Sequence, residues 1–99
     1  MLVKIHKTPE GQIIAAVCDE DLIGKKFSEG KVQLDLTTDF YKGEERDEEE
    51  IGDLLRNAYI INIVGEKSVA LALKEGIIEE KHIIRIDNIP HAEAVNAVE

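Results

Sequence analysis

Two apolar-rich runs, Leu2 to Lys7 and Gln12 to Cys18, flank the tetrapeptide Thr8-Pro9-Glu10-Gly11. Pro at the second turn position and Gly at the fourth suit a type I turn followed by a left-handed glycine. That is the three-residue hairpin loop with a bulge, and it places Thr8 opposite Gln12. The chain is therefore predicted to open with a β-hairpin. One face of it collects Val3, Ile5, Ile13, Ala15 and Val17, the predicted core face. The other carries Leu2, Lys4, His6, Ile14, Ala16 and Cys18.

Downstream, Cys18 to Lys26 reads as a charged connection around the apolar pair Leu22-Ile23. Lys31 to Thr37 alternates Val32, Leu34 and Leu36 against Lys31, Gln33 and Asp35, a half-exposed third strand. Ile51, Leu54, Leu55 and Ala58 recur at helical spacing, which predicts a helix from Asp47 to about Tyr59. Ile60 to Val64 is β-branched and reads as a buried strand ended by Gly65. Glu66 to Glu75 reads as a helix closed by Gly76, and Lys81 to Ile86 as a further strand. Strand, helix, strand over this span implies a βαβ unit, a parallel pair with a right-handed crossover. Pro90 suits the first turn of a short C-terminal helix, His91-Ala-Glu-Ala-Val-Asn-Ala-Val-Glu99. The expectation is one α+β domain over residues 1–99, with a mixed sheet of about five strands and two or three helices.

A chain of 99 residues supports one core rather than two. Its 12 Lys and Arg against 21 Asp and Glu give a net charge of −9. The charge is unevenly spread. Residues 43–53 hold Arg46 against seven acids, for a net of −6, and the rest is nearly balanced. Asp47 is a suitable N-cap for the helix, and Glu48, Glu49 and Glu50 fall in its first turn, where the helix dipole favours anions. The same stretch offers a docking surface for a basic partner. No apolar run approaches the ~20 residues of a membrane-spanning helix, and no signal-peptide core opens the chain. With a single Cys, the expected setting is the reducing cytoplasm.

The chemistry-bearing residues form few familiar constellations. Cys18 is the one thiol, with His6 the nearest base in sequence. With Thr8 opposite Gln12, Cys18 lies opposite Leu2, which separates it from His6 by ~13 Å along the strand. A two-residue loop would instead put the two on opposite faces. One Cys and three scattered His (His6, His82 and His91) lack paired metal-ligand spacing, so no metal and no cofactor are expected. His82 is expected to alternate out of a strand. Gly24-Lys25-Lys26 lacks the upstream Gly and the following Ser or Thr of a P-loop. Gly65 precedes a helix whose first amides, those of Glu66, Lys67 and Ser68, would receive an anion, with Glu66 as competitor; the plainer reading is a tight strand-to-helix turn. Six lysines (Lys4, Lys7, Lys25, Lys26, Lys31 and Lys42) precede the acidic segment. On one face, with Phe40 or Tyr41 as a stacking platform, they would hold single-stranded RNA.

Several pieces in order resemble a known group. Val17-Cys18-Asp19, Leu22-Ile23-Gly24-Lys25, Phe40-Tyr41-Lys42-Gly43, Asn62-Ile63-Val64-Gly65 and Ile89-Pro90-His91-Ala92 resemble the archaeal family catalogued as domain of unknown function 424. The likeness spans essentially the whole chain. Glu93 departs from the Gln expected after Pro-His-Ala, which questions any amide-specific role there. The resemblance carries no activity. It implies an archaeal cytoplasmic protein, and abundant Ile, few Gln and many charges fit a thermophilic source. It also marks Asp19, Gly24, Lys25, Tyr41, Asn62, Gly65 and His91 as candidate binding residues, most of them at predicted strand ends or turns.

Three functions follow as expectations. The first is a non-catalytic binding module whose acidic helix start meets a basic protein or ribonucleoprotein partner. The second is a small enzyme or ligand-binding protein, with Asp19, Lys25, Asn62 and His91 converging at the ends of the sheet. The third is direct RNA binding, which requires the six lysines to share a face away from residues 44–50. Ala92, Ala94, Val95 and Val98 would pack on their own domain or on a second copy.

Overall fold

A computed structural model describes residues 1–96. The opening hairpin forms as its turn dictates, from β1 (Leu2–Lys7) and β2 (Ile13–Cys18). Thr8 donates its N–H to the Gln12 carbonyl at 2.9 Å, and the Gly11 N–H closes onto Thr8 O at 2.9 Å. Gly11 takes φ 83°, the left-handed position the loop requires. Leu2 lies opposite Cys18 and His6 opposite Ile14, so the thiol and the imidazole are four residues apart across the ladder.

Next come β3 (Lys26–Glu29), β4 (Val32–Asp35), the two-residue β5 (Glu44–Glu45), α1 (Glu48–Asn57) and β6 (Ile60–Val64). The chain continues through α2 (Glu66–Lys74), β7 (Ile83–Ile86) and β8 (Ile89–Val95). Six strands form one mixed sheet in the order β5-β1-β2-β6-β8-β7, and β3 and β4 form a separate two-stranded ribbon. The fold is α+β, as the sequence predicts.

Both helices end and begin as their sequences direct. The Asp47 carboxylate caps α1 by accepting the Glu50 N–H at 2.8 Å. At the far end of α2, Ile77 N–H reaches Ala72 O at 2.9 Å and Gly76 N–H reaches Leu73 O at 3.1 Å. These are the paired bonds of a Schellman closure.

Four expectations need correction. The C-terminal segment is strand β8, not a helix, and it lies between β6 and β7. Its Ala and Glu content suits a helix, but Pro90, Ala92 and Ala94 alternate inward against His91, Glu93 and Val95, the period of a strand. Pro90 stands just beyond the last β6–β8 pair and accepts the Gly65 N–H at 2.9 Å; the Gly65 carbonyl that its missing N–H would have met accepts the Val69 N–H at 2.9 Å instead. Residues 97–99, including Val98, lie outside the described residues. Second, because β8 is inserted, β6 and β7 run parallel without pairing, and the adjacent parallel pair is β2 with β6. Third, the strand expected in residues 31–37 pairs with β3 in the ribbon rather than joining the main sheet. Fourth, His82 closes a 3-10 turn, accepting the Glu79 N–H on Nδ1 at 2.8 Å, and β7 starts only after it.

The sheet is covered on both faces. Under the helices, Val3, Ala15, Val17, Ile61 and Ile63 pack with Ile51, Leu55, Val69, Leu71 and Ala72. On the other face, Ala16, Cys18 and Val64 meet Leu22, Leu34, Leu36 and Tyr41. The hairpin face that carries Cys18 is therefore core as well. That is why Leu22, the apolar member of a charged connection, is buried.

Candidate functional site

The C-terminal ends of β2 and β6 are tied together by Asp19 and Gly65. Asp19 donates its backbone N–H to Val64 O at 3.1 Å, and its side chain reaches the start of α2. There the carboxylate accepts the amides of Lys67 (3.0 Å) and Ser68 (2.9 Å) and the Ser68 hydroxyl (2.7 Å). Asp19 is 6 % exposed and Ser68 fully buried. Gly65 adopts φ 108°, and a Cβ there would collide with the Asp19 carboxylate. The anion site expected at this helix start is thus filled by the protein's own Asp19. Glu66, the expected competitor, pairs instead with Arg85 at 3.2 Å. The helix dipole and three donors make this a strong internal bond, and they engage both oxygens of the Asp19 carboxylate.

Tyr41, Asn62 and His91 share the face beneath the ribbon. Asn62 sits on β6 between Ala16 and Glu93, and His91 on β8 between Val64 and Ile84. Residues paired in this way project to the same side, with Cβ atoms ~4.5–5.5 Å apart. Both His91 ring nitrogens are buried without a hydrogen-bond partner. Burial lowers the His91 pKa below its ordinary value, with Glu93 opposing the shift. Burial likewise pushes the Tyr41 phenol up, reinforced by Cys18 and Glu93. The tyrosine ring packs edge-on against Phe40, whose own ring stacks on His6 at 4.5 Å. Cys18 is buried, and its thiol is pushed up to about 12, by desolvation first and then by Asp19 and Asp21. A thiol so protonated is a weak nucleophile near neutral pH.

Gly24 and Lys25 play a third part. The Gly24 N–H bonds Leu36 O at 2.8 Å, and Lys25 O accepts the Leu36 N–H at 2.9 Å, which stitches the loop after β2 to the end of β4. The Lys25 side chain is exposed. The seven candidate residues therefore divide into an Asp19–Gly65 tie, a Tyr41–Asn62–His91 face and a Gly24–Lys25 stitch. The Asp19 carboxylate is engaged by the start of α2, and none of its bonds involves Asn62 or His91. Among the described residues no group of three or more His, Cys, Asp or Glu side chains is placed to hold a metal ion.

Sequence reasoning missed two further features. Glu93 joins the Tyr41–His91 face, a placement that only the strand character of β8 could have signalled. A groove of about 700 Å3 runs between β1 with β5 and the start of α1, lined by Lys4, Ile5, Lys42, Glu50, Asp53 and Leu54. Lys4 donates to the Asp39 carbonyl at 3.0 Å, and Lys42 pairs with the Asp39 carboxylate at 3.6 Å. In the acidic segment Arg46 pairs with Glu44 and, at 3.6 Å, with Glu50. Among the described residues, exposed Glu45, Glu48 and Glu49 have no cation partner within 4.0 Å. Two of the six lysines, Lys4 and Lys42, thus line the groove together with Glu44, Glu50 and Asp53. No described helix is long and apolar enough to cross a membrane.

No curated protein matches the chain. A solved structure described as an uncharacterized conserved protein from Methanopyrus kandleri is similar in fold. Its TM-score is 0.78 at 24% identity, over 94% of this chain and 88% of that one. The family model described as protein of unknown function (DUF424) matches residues 6–96, and no function is established by that description. A match over nearly the whole chain, with the fold shared by the Methanopyrus protein, places this chain in the DUF424 family.

Proposed function

We propose that this protein is a non-catalytic binding module that docks a basic protein partner, or the protein part of a ribonucleoprotein, on the acidic start of α1. The observation that carries this reading is the set of unpaired carboxylates of Glu45, Glu48 and Glu49. Arg46, the one cation of the segment, is already held by Glu44 and Glu50. A patch of one sign steers an oppositely charged partner and sets its orientation more than it adds affinity. The buried, protonated thiol of Cys18 and the engaged carboxylate of Asp19 support a non-catalytic role. A cytoplasmic setting accords with the free cysteine.

The test is a pulldown at low and high salt with the wild type and a variant carrying Glu45→Gln, Glu48→Gln and Glu49→Gln. A basic protein held by the wild type at low salt, and released by salt or by the triple substitution, is the expected result. Identical retention by both proteins sinks the reading. A second reading, a small polar ligand on the Tyr41–Asn62–His91 face, is supported by the unpartnered His91 nitrogens. It requires ligand-induced shifts of the His91 ring resonances.

A further inference from the structure

The edge of β1 is only half covered. β5 pairs with Leu2 and Val3, and Gly43 just before it packs against Val3 O and Lys4 N. Which backbone groups remain open follows from the ladder. The Ile13 carbonyl accepts the Tyr59 N–H at 2.8 Å, on the side of β2 away from β1. Its partner Lys7 therefore belongs to a non-hydrogen-bonded pair, and the Lys7 N–H and C=O face outward. With a period of two, Ile5 and Val3 face outward as well. The outward pattern is confirmed at the covered end, where Met1 O accepts the Arg46 N–H at 3.3 Å and Val3 pairs with Glu44. Ile5 and Lys7 have no such partner: neither backbone makes a hydrogen bond outside the β1–β2 pair.

The side chains beside this edge set the chemistry of its occupant. Ile5 is 39 % exposed and borders the groove with Leu54. Lys4 and Lys7 flank it, and neither ammonium meets a carboxylate within 4.0 Å among the described residues; Lys4 reaches only a backbone carbonyl. An exposed strand edge with unpaired donors and acceptors is a template for another strand. The opposite edge differs, because the β3–β4 ribbon packs against β7 and the Asp87 N–H is held by Glu29 at 3.0 Å.

We propose that the open half of β1 is a strand-addition site for an extended segment of a partner protein. The segment runs antiparallel to β1, ends short of Gly43, and carries an apolar residue opposite Ile5 and a carboxylate opposite Lys7. Its backbone completes the outward groups of Ile5 and Lys7, its apolar side chain enters the groove against Ile5 and Leu54, and its acid neutralises Lys7. A second copy of this chain would bring its own Lys4 and Lys7 to the same edge, a like-charge arrangement that disfavours pairing. The site goes beyond the acidic docking surface: it uses a different element and the opposite charge, so each stands or falls alone.

The probe is a dye-labelled, C-terminally amidated peptide Gly-Ser-Glu-Thr-Val, in which the antiparallel register sets Val opposite Ile5 and Glu opposite Lys7. Fluorescence anisotropy is expected to show saturable binding to the wild-type protein. N-methylation of the probe's Val removes a ladder donor, and binding is expected to weaken about tenfold. Replacing the probe Glu by Lys should weaken it at least as much. Ile5→Pro, which removes an outward N–H and leaves the β2 ladder intact, should also reduce binding about tenfold. If that variant fails to fold, the N-methyl comparison on the wild type decides. Absence of binding, or equal binding of the methylated and plain probes, overturns the proposal. A concentration-dependent dimer that Ile5→Pro abolishes would assign the edge to a second copy and overturn it equally.

Discussion

Asp19 shows how one side chain can hold two halves of a chain together. Its carboxylate accepts three hydrogen bonds from residues 48 and 49 positions away, at a site 6 % exposed. Removing it leaves the amides of Lys67 and Ser68 without acceptors in a buried place. Asp19→Ala is expected to destabilise the fold by about 2–4 kcal/mol, read from the urea midpoint. Gly65→Ala should cost at least about 2 kcal/mol, since it combines a strained backbone with a collision against that carboxylate. His91 gives a second residue-scale expectation. Its folded pKa lies below the ordinary 6.5, so the unfolded chain takes up the proton first on acidification. Stability contributed by neutral His91 is full above about pH 6.5 and falls as the pH drops from there toward the folded pKa. Urea melts across pH 8 to 5.5 should show this decline, and His91→Gln should flatten it. Asp19 and Gly65 are marked by their neighbours in sequence, but the bonds from the α2 start to Asp19 are not legible there. The partner hydroxyl of Ser68 lies 49 residues away, and nothing local in either segment points to the other.

Elements were legible where local chemistry decides them and illegible where position in the sheet decides them. The first hairpin, the Asp47 cap and the Gly76 closure are short-range events, and the structure follows the sequence at each. β8 is the opposite case. Its alanines and glutamates favour a helix by propensity, yet its place between β6 and β7 supplies ladder bonds on both sides that propensity does not count. As a central strand it is expected to hold its amides tightly. Hydrogen exchange should show protection at His91, Ala92 and Ala94 comparable to that of β6, whereas a terminal helix would fray. β5 escaped notice because two glutamates in an acidic run carry no strand signal, and only the neighbouring edge of β1 recruits them. The ribbon was half seen, since β4 alternates and β3 does not.

At the scale of the whole molecule, one sheet separates two cores of different construction. Helices cover one face, and a small ribbon with its flanking turns covers the other. Cys18 lies in the second core and is fully buried, which makes its thiol a reporter of ribbon opening. Thiol labelling should be slow in the native protein. Leu36→Ala removes a fully buried side chain from the ribbon side and is expected to destabilise by about 2–5 kcal/mol, as is Leu55→Ala on the helix side. At matched global stability, the Leu36 variant should label much faster, because local opening of the ribbon suffices to expose Cys18. Equal rates would mean that the two cores open only together. The two-faced burial was only partly legible, because the face with Lys4, His6 and Cys18 is mixed in composition. The Asp19 tie has one more consequence at this scale. A carboxylate fixed to the same chain acts on the α2 start as a tethered ligand, at an effective concentration of at least about a millimolar. A free phosphate or acidic metabolite competes there only at comparable abundance and, having displaced Asp19, would also release the seam between β2 and α2. The helix start is in effect self-inhibited toward anions, and the fold's integrity doubles as its selectivity.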